Sequence, residues 1–276
     1  MQQVLKTMLE NVRAKTPLVH NITNYVTVND VANVLLAAGG SPIMSDDADD
    51  VEDITSICGG LNINIGTLNK NTIPSMFLAG KKANELGHIV LLDPVGAGAS
   101  RLRTDTANRL MQEVRFDAVR GNISEIKTLC TGSGSTKGVD ADAVDAVTEA
   151  NLDDGVQLVK TFAQRAGCIV AVTGAIDLVS DGERCWCIRN GRAEMSRITG
   201  TGCQLSALMT AFLVANPAHK LAAAAAAVCM MGLAGEIGWA NMQPGDGNST
   251  YRNRIIDAIF NMTGDALEKG AKYELR

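Results

Sequence analysis

The sequence has 276 residues, a hydrophobic content of 46% and a net charge of −5, so it is long enough to form one large globular domain. The chain is acidic, with a pI near 5.3, and carries no basic cluster, which argues against binding to nucleic acids or acidic membranes. The longest uncharged apolar stretch, residues 221–235, is shorter than the roughly 20 residues that a membrane-spanning helix needs. We expect no leader peptide, and seven irregularly spaced cysteines fit a protein of the reducing cytoplasm.

Helical patterns alternate with short apolar runs along the first half of the chain. Apolar residues at helical spacing over 4–12 predict an amphipathic helix, and a second helix over 29–38 is predicted to end at Gly39. We interpret the acidic run that starts at Ser45 as a helix start, in which Ser45 or Asp46 caps the helix. Short apolar runs occupy 41–44, 61–65 and 89–92, the last of them typical of a buried parallel strand, and helices are predicted at 72–86 and 104–114.

The same alternation continues in the second half without a change of composition, so we interpret 1–276 as a single domain. Residues 131–140 are predicted to form an exposed loop rather than a linker between domains. The segments 177–180 and 185–189 flank a turn signal and predict an antiparallel hairpin. A strand is predicted at 168–172 and helices at 156–166, 202–214, 221–237 and 250–269.

These elements predict an α/β fold in which a mostly parallel central sheet is covered by helices on both faces. In such sheets, ligands bind beyond the carboxyl ends of the strands. Polar residues follow three of the predicted strands: Asp93 follows 89–92, the segment 120–125 closes the run that starts at Phe116, and Thr173 with Gly174 follows 168–172. The sequence therefore predicts a ligand site at one edge of the sheet.

A glycine-rich loop at 197–206 is expected at the same edge. Gly200 and Gly202 allow positive φ angles, and the N–H groups that open the following helix favour an anion such as phosphate. The loop is not a P-loop, because Cys203 rather than lysine follows Gly202, and Leu205 excludes the dinucleotide fingerprint. Glycines at a helix start can also serve only tight packing.

The residues at this edge suit the transfer of a phosphoryl group from a nucleotide. Asp93 and Glu125 offer oxygen ligands for Mg²⁺, and Arg120 offers planar donors to phosphate. Each also has a structural interpretation: Asp93 precedes a proline in a turn, and Glu125 can close a capping box with Asn122. Thr173 is expected to contact the nucleotide phosphate.

The glycine loop supplies the remaining groups that this reaction needs. Backbone N–H groups of Gly200, Thr201 and Gly202 can hold negative charge that develops on the transferred phosphoryl. Cys203 can accept or orient the proton of the acceptor hydroxyl, and its position near a helix N-terminus is expected to lower its pKa. Alternatively, Cys203 is a small buried hydrophobe with no chemical role.

Six strings in the sequence resemble those of hydroxyethylthiazole kinases, members of the ribokinase-like superfamily, in the same order over residues 16–215. The strings are HNITNYV, SPIMS, DPVGAG, VRGNISEI, AVTG and ITGTGC. The resemblance implies a ribokinase-like three-layer sandwich. It also implies ATP-dependent phosphorylation of the hydroxyl of 4-methyl-5-(2-hydroxyethyl)thiazole, a step of thiamine salvage.

The resemblance also implies roles for individual residues on the nucleotide side of the site. It assigns ATP contacts to Arg120 and Thr173. It places Asp93 and Glu125 at the acidic positions near Mg²⁺.

On the acceptor side, the resemblance assigns thiazole contacts to Met44 and Gly200, with Asn24 as a further candidate. Cys203 stands where most ribokinase-like kinases carry an aspartate base, and we hypothesise that it orients the alcohol and acts only modestly as a base. The family forms homotrimers with the thiazole pocket between subunits, so a homotrimer is implied here as well.

Three other functions remain open at this point. The chain could be a ribokinase-like kinase of another small alcohol, such as a hydroxymethylpyrimidine or a sugar, although Cys203 and the HNITNYV string argue against this. It could be a nucleotide-binding dehydratase of the same superfamily. In a different class, it could bind a thiazole without catalysis.

Overall fold

The computed structural model describes residues 3–131 and 146–276. A nine-stranded sheet with strand order 2-1-3-4-5-6-7-8-9 runs through it. The first six strands in chain order pair in parallel, and the last three are antiparallel, which confirms the mostly parallel sheet and the predicted hairpin. The strands are β1 (Leu18–Ile22), β2 (Ser41–Met44), β3 (Gly60–Asn64), β4 (Ile89–Asp93), β5 (Ala118–Asn122), β6 (Ile169–Thr173), β7 (Asp177–Ser180), β8 (Cys185–Ile188) and β9 (Tyr273–Leu275).

Helices cover both faces of this sheet and form the outer two of three layers. Successive residues of a central strand point to opposite faces, so Leu91 packs in one apolar core and Leu92 in the other. The helices are α1 (Val4–Lys15), α2 (Val28–Ala38), α3 (Val51–Ile57), α4 (Thr72–Leu86), α5 (Arg101–Glu113), α6 (Ile123–Thr131), α7 (Leu152–Ala166), α8 (Thr201–Ala215), α9 (Lys220–Ala240), α10 (Asn248–Asn261) and α11 (Gly264–Gly270).

One helical layer comes from the middle of the chain, and the other combines its first and last helices. Helices α3 to α7 contribute to one core. The other core contains residues of α1, α2 and α8 to α11, so α1 packs against helices that come much later in the chain. The Lys6 ammonium lies 2.9 Å from Asp265 Oδ1, and the Lys6 N–H donates to Glu268 Oε2 at 3.0 Å.

Two predicted helix starts were wrong. Neither Ser45 nor Asp46 caps a helix, because α3 begins only at Val51. Ser45 instead donates its hydroxyl to Asp50 Oδ2 at 2.5 Å. Helix α5 starts before the predicted residue 104, because Ser100 caps it by accepting a hydrogen bond from the Arg103 N–H.

Three further segments have features that the sequence did not predict. Strand β1 contains the polar residue His20, which is fully buried and whose ring nitrogens lie 3.0 Å from Thr55 Oγ1 and 2.9 Å from the Ser45 carbonyl oxygen. The single helix predicted at 250–269 is two helices, since Thr263 caps α11 separately. Strand β9 was not predicted, and the predicted loop 131–140 lies outside the described residues except for its first residue, which ends α6.

The alanine-rich helix is longer than its uncharged sequence stretch. By length and composition alone, residues 217–240 could cross a membrane, but 83% of the apolar window is buried inside the protein. Helix α9 packs against both α8 and α10, and its small side chains allow close approach. It therefore forms the centre of one helical layer.

Candidate active site

The carboxyl ends of four neighbouring strands bring polar residues together at one edge of the sheet. Asn64 at the end of β3 is in register with Asp93 at the end of β4. Likewise, Asn122 at the end of β5 is in register with Thr173 at the end of β6. The glycine loop leads into α8, which packs on β3 and β4, so the predicted ligand edge is one connected region.

Asp93 is the most deeply buried charged residue of this region, with no exposed surface. Its Oδ2 accepts hydrogen bonds from Asn64 Nδ2 and Ser206 Oγ, both at 2.8 Å. Within the described ranges its Oδ1 has no hydrogen-bond partner, and Arg120 Nη1 lies 3.7 Å away. Burial raises the pKa of Asp93, whereas Arg120 and the two hydrogen bonds lower it. One carboxylate oxygen is thus fixed by two hydrogen bonds, whereas the other faces the Arg120 guanidinium without a hydrogen bond.

Arg120 connects Asp93 at the end of β4 to Thr173 at the end of β6. Its side chain is mostly buried, and Nη2 donates to Thr173 Oγ1 at 2.5 Å. The guanidinium also lies directly against the glycine loop, because a Cβ added at Gly202 would be 2.4 Å from Arg120 Nη1. Glycine at this position therefore leaves the space that the guanidinium fills.

Glu125 forms the capping box that was the alternative interpretation of this residue. Its Oε2 accepts from the Asn122 N–H at 2.8 Å, and Asn122 Oδ1 accepts from the Glu125 N–H at 2.9 Å. Its Oε1 accepts from the Gly96 N–H at 2.7 Å, which ties the loop after β4 to α6. Burial, followed by the nearby Asp93 charge, raises the pKa of Glu125 to about 7. Both carboxylate oxygens thus already bind backbone groups.

Cys203 is the third residue of α8 and is 8% exposed. The predicted lowering of its pKa is wrong: burial and the Asp93 charge raise the pKa of the thiol, and Arg120 and two asparagine side chains oppose this only in part. Burial is the largest of these effects, because a nearly dry environment disfavours the charged thiolate. The thiol still has a polar partner, since Asn24 Nδ2 donates to Cys203 Sγ at 3.2 Å.

The two loop glycines have different conformations. Gly200 has φ +83°, as predicted, and a Cβ there would be 2.1 Å from Thr27 Cγ2. Gly202 is in the first turn of α8 with a helical conformation, so the predicted positive φ at this residue is wrong. The Gln204 N–H donates to the Gly200 carbonyl oxygen at 2.9 Å, and the three N–H groups before it open the helix.

Met44 and Asn24, the candidate thiazole contacts, both lie near Cys203 at the same edge. Met44 ends β2 and packs against the small apolar cluster that contains Cys203, Val31 and Leu35. Asn24 follows β1 and is 4% exposed. The candidate thiazole contacts are therefore next to the candidate acceptor of the hydroxyl proton.

Sequence reasoning missed three residues of this region: Asn64, Ser206 and Thr27. Asn64 ends an apolar strand, and Ser206 lies one helical turn after Cys203, which are signals that could have identified them. Thr27 donates its N–H and its hydroxyl to Asn24 Oδ1, both at 3.1 Å. Only the folded chain shows that this bond orients Asn24.

The possible metal ligands of this region fit a Mg²⁺ ion, which also binds water and phosphate, better than a metal that protein side chains hold alone. Across the part of the chain that the structure describes, no three or more His, Cys, Asp or Glu side chains gather as metal ligands. Mg²⁺ keeps several waters and takes one or two carboxylates together with substrate phosphates. Asp93 Oδ1, buried and without a hydrogen-bond partner among the described residues, is the best placed protein oxygen for such an ion.

Comparison with known proteins identifies the family. Residues 9–265 match the model of the hydroxyethylthiazole kinase family. The chain belongs to this family. It is 56% identical over 271 residues to a hydroxyethylthiazole kinase of Clostridium acetobutylicum, which covers 98% of this chain and 99% of the relative. The family is one of phosphotransferases, which confirms the predicted enzyme class.

Solved structures show the fold of this hydroxyethylthiazole kinase family member. The structure of the hydroxyethylthiazole kinase protein from Pyrococcus horikoshii OT3 is 32% identical, with a TM-score of 0.88 and 100% of both chains covered. A ribokinase-like superfamily protein from Enterococcus faecalis V583 is 10% identical, with a TM-score of 0.62 and 94% of each chain covered. The predicted ribokinase-like sandwich is thereby confirmed.

Proposed function

We propose that this protein catalyses ATP-dependent phosphorylation of the hydroxyl of 4-methyl-5-(2-hydroxyethyl)thiazole, as a step of thiamine salvage in the cytoplasm. The observation that carries this proposal is the buried hydrogen-bonded path from Cys203 through Asn24 and Asn64 to Asp93. The path joins the Cys203 thiol, which can orient the acceptor alcohol, to the Asp93 carboxylate, which can bind the cation on the phosphates.

On the nucleotide side, Arg120 and Thr173 bind the phosphates of ATP. The guanidinium is already oriented by Thr173 and by its contact with Gly202, so little side-chain freedom is lost on binding. Asp93, through the Oδ1 that has no hydrogen-bond partner among the described residues, would hold Mg²⁺. Glu125 of α6 would hold it as well, because its carboxylate oxygens keep further lone pairs beside their backbone hydrogen bonds. The ion supplies neutralisation of the phosphate charge.

In the reaction, the alcohol oxygen attacks the γ-phosphorus, and the bond from that phosphorus to the β,γ-bridging oxygen breaks, so that ADP leaves. N–H groups of Gly200, Thr201 and Gly202 stabilise the negative charge on the transferred group. The raised pKa of Cys203 keeps its thiol protonated near neutral pH, so its main role is to orient the hydroxyl. A loose transition state needs little early proton removal, and the proton can leave late, to water or, in the minor fraction of molecules that hold Cys203 as a thiolate, to the sulfur.

On the acceptor side, Met44, Gly200 and Asn24 contact the thiazole. The pocket lies between subunits of a homotrimer, as in the family. Sedimentation tests this part of the proposal: a stable monomer under assay conditions would contradict an intersubunit pocket.

The deciding experiment measures ADP release from Mg-ATP with three alcohols side by side: the hydroxyethylthiazole, a hydroxymethylpyrimidine and ribose. Mass spectrometry of the products identifies which alcohol carries the new phosphate. We expect turnover with the thiazole alone. Turnover only with another alcohol would show that the proposed substrate is wrong. MgATP binding without any turnover would favour a non-catalytic thiazole-binding protein.

A further inference from the structure

Two buried asparagines near the reacting groups have amide orientations that backbone donors determine. The Gly66 N–H donates to Asn64 Oδ1 at 2.9 Å, and the Thr27 N–H donates to Asn24 Oδ1 at 3.1 Å. A backbone N–H can only donate, so each of these side-chain atoms must be the oxygen. The NH₂ groups of both asparagines must therefore point inward, toward Asp93 and Cys203.

The inward-pointing amides form a directed path of hydrogen bonds. Asn24 Nδ2 donates to Cys203 Sγ at 3.2 Å and to Asn64 Oδ1 at 3.1 Å. Asn64 Nδ2 then donates to Asp93 Oδ2 at 2.8 Å. Asn64 is the link between the two ends of this path, because it contacts both the asparagine that binds the thiol and the carboxylate.

The bond from Asn64 also determines which oxygen of Asp93 stays available. Together with Ser206 Oγ, it gives Oδ2 two donors, whereas Oδ1 has none among the residues described. Asn64 is only 1% exposed, so water does not readily replace its donor. Loss of this donor would let the carboxylate rotate and would weaken the selection of one free oxygen.

We propose that Asn64 is a positioning residue, which fixes the carboxylate of Asp93 for the cation and, through Asn24, the place of the Cys203 sulfur. The roles of the cation and the sulfur rest on the proposed phosphotransfer. Asn64 itself needs no contact with substrate.

The chain offers a matched control on the same strand. Asn62 lies two residues before Asn64, so both side chains point to the same face of β3. Asn62 is also fully buried, and its Nδ2 donates to Asn21 Oδ1 at 3.0 Å. Asn62 and Asn21 thus form a second buried asparagine pair, like Asn64 and Asn24 but further from the carboxyl edge of the sheet.

The test compares Asn64→Asp with Asn62→Asp. Aspartate has nearly the size of asparagine, but in Asn64→Asp an oxygen would replace the donor that faces Asp93. We expect kcat to fall about 10- to 100-fold, as when an outer-shell partner of a metal ligand is removed. Electron paramagnetic resonance of bound MnATP should show an affinity weaker by about the same factor. For Asn62→Asp we expect unchanged kcat and MnATP affinity, even where the melting temperature falls.

Equal losses in the two variants, or an Asn64→Asp enzyme with full kcat and full MnATP affinity, would overturn the proposal. If Asn64→Asp does not fold, Asn64→Ala removes the donor without adding charge, and the same comparison applies. If the unmodified protein phosphorylates no thiazole, the proposed function fails by itself. MnATP binding then still decides whether Asn64 positions Asp93.

Discussion

The contact between Arg120 and Gly202 gives a sharp test of the nucleotide side. In Gly202→Ala, the added methyl would lie 2.4 Å from Nη1, 2.6 Å from Nη2 and 2.8 Å from Cζ of Arg120. Non-bonded heavy atoms prefer separations of about 3.5–4.0 Å, so the guanidinium must move by about 1 Å. That shift would disrupt its 2.5 Å bond to Thr173.

The expected effect is on catalysis rather than folding. Gly202 is helical, without positive φ, so alanine there should favour the helix by up to about 1 kcal/mol. A misplacement of about 1 Å in a positioning group can lower the rate about 100-fold. We therefore expect kcat/KM for ATP to fall about 100-fold, while the melting temperature stays the same or rises.

Steady-state kinetics with ATP as the varied substrate provides the assay, and Gly155→Ala is the control. Gly155 lies within α7, where a Cβ would be 3.2 Å from Val147, and we expect no change in its kcat/KM. In an Arg120→Ala background, Gly202→Ala should cost little further activity, because both changes act on the same guanidinium. A folded Gly202→Ala enzyme with normal kcat/KM would refute this placement of Arg120.

Three further changes test other parts of the site. Cys203→Ala should lower kcat about 10-fold, which is less than the 10²–10⁴-fold typical of a general base. Cys203→Ser should lower kcat by a smaller factor. An unchanged kcat in the alanine variant would exclude even the orienting role. Gly200→Ala should lower the free energy of unfolding by about 1–3 kcal/mol in denaturant titrations, because φ is +83° and Thr27 occupies the Cβ position. The control Gly87→Ala, with φ +69° and nothing within 4 Å, should lose less stability. Equal losses of stability would mean that the Thr27 contact is unimportant. Thr173→Val keeps the side-chain shape but removes a hydrogen bond to a charged group, so the KM for ATP should rise roughly 10-fold or more; an unchanged KM would remove Thr173 from the nucleotide site.

The location of the site could be predicted from the sequence because parallel strands share one carboxyl edge. Asp93 and Thr173 follow recognisable apolar runs, so their convergence needed only the fold class. The orientation of Asn24 and Asn64 could not be predicted, since it depends on the N–H groups of Thr27 and Gly66. Such bonds exist only when the loops take their final conformation.

The pKa of Cys203 shows why local rules are insufficient for the chemistry. A helix N-terminus lowers a thiol pKa, and burial raises it. The sequence shows the first effect, because Cys203 follows a glycine loop before an apolar helix. The second depends on Asp93 and on how completely neighbouring segments cover the sulfur, which is a property of the assembled layers.

The packing of α1 against late helices has a consequence for synthesis on the ribosome. The Lys6 ion pair with Asp265 joins residues 259 positions apart. At about 5–20 residues per second, the partner segment emerges roughly 10 to 50 seconds after α1. For most of that interval, until α8 and α9 emerge, the apolar face of α1, formed by Leu5, Leu9 and Val12, lacks most of its native cover. The nascent chain must carry this apolar stripe until its late helices arrive, so α1 stays open to non-native contacts during most of synthesis.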